Sequence, residues 1–201
     1  MQYTDTKTEA LDGEERPGKF LGLETKRLFL REMTWEDRPA ICAILQDKET
    51  MYAYEHAFSD EEADGWMENQ MGRYRKFGFG LWAVEKKETG EVIGQCGLTW
   101  QPVPEGIDAS GRILEIGYLF QRSQWGKGYA TEAAAACREY AFRVLKAPKI
   151  SSIIRENNYA SRNVAERNGL KPVGTFVKHY YGMDMPHIVY VGFGDSGQCG
   201  T

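Results

Sequence analysis

An α/β layered domain with a mixed sheet is the fold class this sequence predicts, and three observations predict it. Segments with two-residue alternation and segments with apolar residues at three- and four-residue steps succeed one another along the chain. The 201 residues are 42% hydrophobic and 27% charged, which suits one globular domain. One long helical stretch has an inner face built largely of alanine, which lets a helix approach a sheet closely. A chain of this length buries about 70% of its unfolded surface, so the core needs neither disulfides nor a structural metal.

The elements follow in the order β-α-α-β-β-β-α-β-α-β-β. Residues 1–20 are polar and acidic and read as an extension, 21–194 as the folded domain, and 195–201 as a tail. Arg27 to Arg31 alternates as a first strand, with Leu28 and Leu30 on one face. Thr34 and Asp37 mark the start of a helix carrying Ile41, Ile44 and Leu45, in which Pro39 is tolerable only in the first turn. Ser59 and Glu62 form a capping-box pattern ahead of a stripe of Ala63, Trp66, Met67, Gln70, Met71 and Tyr74, which reads as core rather than a binding face.

Phe79 to Glu85 and Val92 to Trp100 read as a hairpin turned at Glu88-Thr89-Gly90, followed by an irregular segment over 101–111. Ile113 to Phe120 is the next strand. Tyr129 to Leu145 is a long helix with Ala130, Ala133, Ala134, Cys137, Ala141, Val144 and Leu145 inward. Lys149 to Ile154 is a strand, Ser161 to Asn168 a short helix stopped by Gly169, and Val173 to Val177 and Ile188 to Phe193 complete the sheet.

Composition excludes several function classes. Lys plus Arg is 25 against 29 Asp plus Glu, a net charge of -4 without a basic stripe, which argues against nucleic acid. Cys42, Cys96, Cys137 and Cys199 are scattered, and His56, His179 and His187 have no ligand spacing, so no metal is assigned. With neither a long apolar run nor a signal-like amino terminus, the expected setting is cytoplasmic, away from membranes.

The densest chemical signal is the strand Ile113 to Phe120 running into Trp125-Gly126-Lys127-Gly128-Tyr129-Ala130 and then a helix. The first N–H groups of a helix have no internal partners and carry the positive end of its dipole, so such a turn is an anion site if glycine lets a phosphate come close. Two glycines also suffice for a merely tight connection. A Walker loop is excluded because Lys127 is followed by Gly128, and a dinucleotide fingerprint because Thr131 holds the place of its third glycine.

Ser123-Gln124-Trp125-Gly126-Lys127-Gly128 resembles the acetyl-CoA pyrophosphate loop of the GNAT N-acetyltransferase superfamily, with Ser123 in place of that motif's Gln or Arg. Trp125 to Ala133, Leu23 to Arg31, Glu115-Ile116-Gly117-Tyr118, and Asn158-Tyr159-Ala160-Ser161 with Asn168-Gly169-Leu170 look like the subgroup that acetylates ribosomal-protein amino termini. The resemblance covers about residues 21 to 193. It implies a mostly antiparallel mixed sheet with helices on both faces, acetyl-CoA as co-substrate, and direct transfer to a primary amine, on a peptide amino terminus or a small molecule, by a monomer or homodimer. A non-catalytic acyl-CoA-binding module is the alternative.

The resemblance further implies a pantetheine arm beside Tyr118, Leu119 and Phe120, pyrophosphate on the N–H groups of Trp125 to Ala130, and a main-chain donor at Leu119 or Phe120 polarising the thioester. Glu115 is the candidate base, since the attacking amine must lose a proton; it reads equally as a solvent-facing carboxylate or a partner of Arg112. Ser161 is a candidate acid or simply the N-cap of its helix. Asn158 is placed to hold pantetheine or to form a turn, and Arg162 and Lys127 to reach phosphate or to stand in solvent. Tyr180, Tyr181 and Asp184 read as structure or as an acceptor-pocket lining.

Overall fold

The computed structural model describes residues 20–54, 56–180 and 182–194; the extension up to Lys19, the tail from Asp195, Cys199 and Tyr181 lie outside the described residues. Eight strands form one sheet: β1 (Leu23–Glu24), β2 (Leu28–Arg31), β3 (Leu81–Lys86), β4 (Val92–Pro102), β5 (Arg112–Phe120), β6 (Lys149–Arg155), β7 (Lys171–Tyr180) and β8 (Met183–Phe193). Their order is β1-β2-β3-β4-β5-β6-β8-β7, antiparallel throughout except where β5 meets β6. The helices are α1 (Arg38–Leu45), α2 (Asp60–Phe77), α3 (Tyr129–Arg143) and α4 (Tyr159–Arg167).

Strand alternation sorts the helices to the two faces. On β4, Gln95 faces α2 and accepts a hydrogen bond from Trp66 Nε1 at 2.9 Å, while its neighbour Cys96 faces α3 with its sulfur 3.6 Å from that of Cys137. The same alternation puts Ile113, Glu115, Gly117 and Leu119 of β5 on the α2 face and Leu114, Ile116, Tyr118 and Phe120 on the α3 face. The main core fills both spaces, with Trp82, Ile93, Leu98, Met67 and Ile150 fully buried.

The capping signals act where the sequence places them. Ser59 Oγ accepts from Glu62 N–H and Glu62 returns the contact to Ser59 N–H at 2.8 Å. Thr34 and Asp37 close a short 3-10 turn, so Pro39 falls in the first turn of α1. The alanine face of α3 is buried at Ala133, Ala134 and Ala141, and it lets the helix lie on β4 and β5. Val144 corrects the expected pattern: α3 ends at Arg143, so Val144 leaves the stripe and is 53% exposed, while Tyr140 takes the buried position.

Two strands extend past their expected limits, since β7 runs to Tyr180 and β8 starts at Met183. Asp184 therefore lies at the end of a hairpin, opposite His179. Phe20, assigned to the extension from sequence, stacks on Trp82 at 4.3 Å and belongs to the core. Among the described residues no helix is long and apolar enough to cross a membrane.

Candidate active site

The parallel pairing of β5 with β6 is confined, among the described residues, to Glu115 with Ser151. Ser152 Oγ adds a hydrogen bond to Ile116 O at 3.1 Å, and beyond this apex the strands part. The gap exposes main-chain groups of β5, and alternation decides which. Gln121 N–H reaches back to Ile93 O of the β4 side, and Leu119 pairs with Gln95, so odd-numbered residues address β4. Ile116 O and Phe120 O are bonded on the other side, by Ser152 Oγ and Trp125 Nε1, so even-numbered residues address the gap. The donor expected at Leu119 therefore faces β4, and Tyr118 and Phe120 carry the N–H groups directed into the gap.

At the end of β5 the chain turns into α3. Trp125 Nε1 donates to Phe120 O at 2.9 Å and fastens the turn to the strand. Gly126 and Gly128 adopt φ of +74° and +81°, a left-handed conformation that costs other residues about 1–2 kcal/mol. A Cβ at Gly126 would meet no atom within 4 Å, so the backbone there stands open to a ligand. Glu132 N–H makes the first α3 bond, to Gly128 O, which leaves the N–H groups of Tyr129, Ala130 and Thr131 ahead of the helical ladder. Trp125 N–H, expected in the cradle, is instead spent on Arg122 O, so the turn's open N–H groups begin after it. Lys127 is exposed, with Nζ on Gln124 Oε1 at 3.2 Å.

A clamp missed at the level of sequence braces this turn. Glu132, in the first turn of α3, accepts from Thr25 Oγ1 at 2.7 Å, Arg27 N–H at 2.8 Å and Arg27 Nε at 2.6 Å. The Arg27 guanidinium also donates from Nη1 to Lys127 O at 3.0 Å and lies 4.4 Å over the Tyr129 ring. Burial works against the Glu132 charge, but the hydrogen bonds from Thr25 and Arg27 hold the carboxyl below the usual range.

On the α2 face of the apex stands Glu115. It is partly buried, opposite Thr99 on β4, and its Oε1 accepts from Ile153 N–H at 3.1 Å. Loss of solvent raises its pKa, against the opposing pull of Lys178, the Ile153 N–H and Arg73. Burial in turn lowers the pKa of Lys178, while Glu115 raises it. The hydrogen bond recorded for Glu115 comes from Ile153 N–H rather than from Arg112, whose guanidinium lies 4.3 Å over the Trp100 ring, and the loss of solvent at Glu115 departs from the solvent-facing reading. The Gln70 and Gln95 amides share this face; both side chains are fully buried, and their Nε2 groups have no partner among the described residues.

Around α4, Asn158 rather than Ser161 is the N-cap: its side-chain oxygen accepts from Ser161 N–H at 3.0 Å, which places Ser161 in the first turn. The helix starts two residues before the expected position. Tyr118 Oη donates to Ser161 O at 2.8 Å and ties β5 to α4 across the gap, and burial pushes its phenol pKa well up. Arg162 spends Nε on Tyr190 Oη and Nη1 on Glu156 O, each at 3.0 Å, so it is committed to β8 and to the turn before α4. Among the described residues no group of three or more His, Cys, Asp or Glu is placed to hold a metal ion.

Comparison with known proteins agrees with this geometry. The acetyltransferase (GNAT) domain family model matches residues 27–171. An uncharacterized protein, YkkB of Bacillus subtilis, is 34% identical over 170 residues, covering 79% of this chain and 96% of that one. The N-acetyltransferase YoaA of the same organism, also uncharacterized, is 28% identical over 167 residues, covering 82% and 91%. A solved structure of RimL, a ribosomal L7/L12 alpha-N-protein acetyltransferase in complex with coenzyme A, superposes with a TM-score of 0.69 over 87% of this chain and 99% of that one, at 19% identity. That last likeness is one of fold. With a matched domain that spans β2 to the start of β7 and so contains both the glycine cradle and the splayed strands, this chain belongs to the GNAT acetyltransferase family and is an acetyl-CoA-dependent N-acetyltransferase.

Proposed function

We propose that the protein acetylates a primary amine, on a peptide amino terminus or a small molecule, at the apex between β5 and β6 with Glu115 as the base. The observation that carries this reading is the position of one carboxyl, raised in pKa by burial, at the point where the strands part. The cradle fits acetyl-CoA: Gly126 leaves the backbone open, Gly128 supplies the left-handed turn with the Arg27 guanidinium beside it, and the N–H groups from Gly126 to Thr131 suit a pyrophosphate. When bound, acetyl-CoA supplies an activated acetyl thioester.

The residues of the chain supply the rest. The gap-facing main chain of Tyr118 and Phe120 orients the pantetheine arm and presents N–H groups to the charge that develops on the thioester oxygen. Asn158, engaged as N-cap through its oxygen, keeps its amide nitrogen for a pantetheine carbonyl. Glu115 takes the proton from the ammonium form of the acceptor, and its raised pKa brings it closer to that task than an ordinary carboxylate. Ser161, at the first turn of α4 across the gap, supplies a hydroxyl proton to the departing thiolate.

The test is CoA thiol release from purified protein given acetyl-CoA and a panel of peptides, polyamines and amino-acid amides. Thiol release with at least one amine, and an acetylated product of that amine by mass spectrometry, is expected. Tight acetyl-CoA binding without release across the panel would favour the non-catalytic reading.

A further inference from the structure

On the α2 face the sheet is covered by α1 and α2 over its first half, whereas over β5 to β8 the cover is the segment between β4 and β5. Beneath that segment lies a cavity of about 170 Å³. Its walls are Ile113 of β5, Val189 and Val191 of β8 and Phe193, with Ile107 of the covering segment above. Ser151 of β6 also lines it; this side chain is fully buried and its Oγ has no partner among the described residues. At one end Lys149 pairs with Asp108, whose carboxyl is held down to about 2 by Lys149 and Ser110.

The cavity adjoins the reaction apex. Ser151 is the residue paired with Glu115, so their side chains stand next to each other on this face. Ile113 precedes Glu115 by two residues on the same face, about 6.7 Å along the strand. Lys149 precedes Ser151 by two residues on the parallel strand and so lies alongside Ile113, which puts the ion pair at the end remote from Glu115. Apart from Asp108 and Lys149, which satisfy each other at one end, the lining is apolar with the single hydroxyl of Ser151, so the space beside Ser151 does not offer the two to four polar partners that hold a water. Its volume suits a compact hydrocarbon group, since an apolar cavity of about 150 Å³ takes a benzene-sized guest.

The geometry points to this cavity as the acceptor's side-chain subsite: the amine lies at Glu115, an aliphatic group of about leucine size fills the space beneath the 103–111 segment, and a polar group beside the amine meets Ser151 Oγ. This rests on the reading that Glu115 marks the amine site, and it narrows the acceptor from any primary amine to one flanked by an apolar side chain.

The test uses the whole protein with coenzyme A present, and a series of α-amino amides from glycinamide through alaninamide and valinamide to leucinamide. In a methyl-labelled NMR titration, leucinamide should shift the methyl signals of Ile113, Val189 and Val191 saturably, and glycinamide should leave them in place. Each added methylene should raise kcat/KM about three- to fourfold. Val191→Phe, which fills the cavity, should bring the leucinamide-to-glycinamide ratio to about one, and Ser151→Ala should weaken leucinamide about fivefold. No methyl shifts at tens-of-millimolar leucinamide, or a series without chain-length dependence, overturns the subsite. The wild-type titration decides this even if Val191→Phe does not fold. Methyl shifts without thiol release would leave the subsite standing and sink the amine-acetylation reading instead.

Discussion

Arg27 Nε and Glu132 Oε2 meet at 2.6 Å, joining the turn after β1 to the first turn of α3 although 105 residues separate them. Glu132 takes three hydrogen bonds there, two of them from Arg27, and Arg27 in turn holds Lys127 O inside the cradle. The pair thus fixes the glycine turn against the start of α3, and with it the N–H groups proposed to take the pyrophosphate.

Glu132→Gln should lower stability by about 1–2 kcal/mol, because it weakens charge-assisted bonds at a carboxylate only partly screened by solvent. The folded-state pKa of Glu132 is depressed, so its contribution is present above the unfolded value near 4.5 and is lost as pH falls below it. Denaturant titrations should therefore show wild type and variant converging toward acid pH. Steady-state kinetics should show a several-fold higher KM for acetyl-CoA with kcat little changed.

Gly126→Val places a β-branched residue at φ +74° with no neighbour to clash, so its structural cost is the backbone strain of about 1–2 kcal/mol. Its effect on acetyl-CoA should be larger, tenfold or more in Kd by calorimetry, because a side chain now occupies the approach to the N–H groups. An unchanged Kd in a folded variant would remove Gly126 from the cradle.

Gly97 is fixed by close approach. A Cβ there would lie 2.0 Å from Gly80 O, the carbonyl that accepts from Leu98 N–H at 3.1 Å. Gly97→Ala should push β4 off the start of β3 and destabilise by about 3 kcal/mol or more, measured by thermal or denaturant unfolding. Gly90→Ala, where no atom lies within 4 Å, should cost only the turn strain.

Glu115→Gln should stabilise the fold near neutral pH. The folded-state pKa is raised, so the native state holds its proton above the unfolded value near 4.5, and stability declines as pH rises from there through the folded value. The glutamine variant lacks that decline. Unfolding measured at a series of pH values from about 4 to about 8 should show its advantage growing with pH.

The legible part of the fold was local. The Ser59–Glu62 cap and the Thr34–Asp37 turn are written in residues three apart, and the strand-glycine-helix unit in the ten residues from Phe120 to Tyr129, and the structure has them all. The two-residue β1 escaped because alternation needs more length to show. Ser161 drew the N-cap assignment because serine suits that place, yet Asn158 suits it equally and sits where the chain leaves β6.

At the site, Glu115 and the glycines were visible as residue types in context, whereas their relationships were not. Leu119 lost the gap-facing role to its neighbours because main-chain direction depends on which side β4 lies, a fact of sheet order. Arg27 and Glu132 were each part of a recognisable segment, but only the fold brings them together. Ser151 is an ordinary strand serine until its register with Glu115 is known.

The most direct test of the account is the pH dependence of kcat/KM for wild type and Glu115→Gln, measured by thiol release with an amine that wild type acetylates. The account predicts a variant rate lower by about 10²–10⁴ and loss of the acidic limb that reports ionisation of Glu115. Superimposable profiles at comparable rates would contradict it.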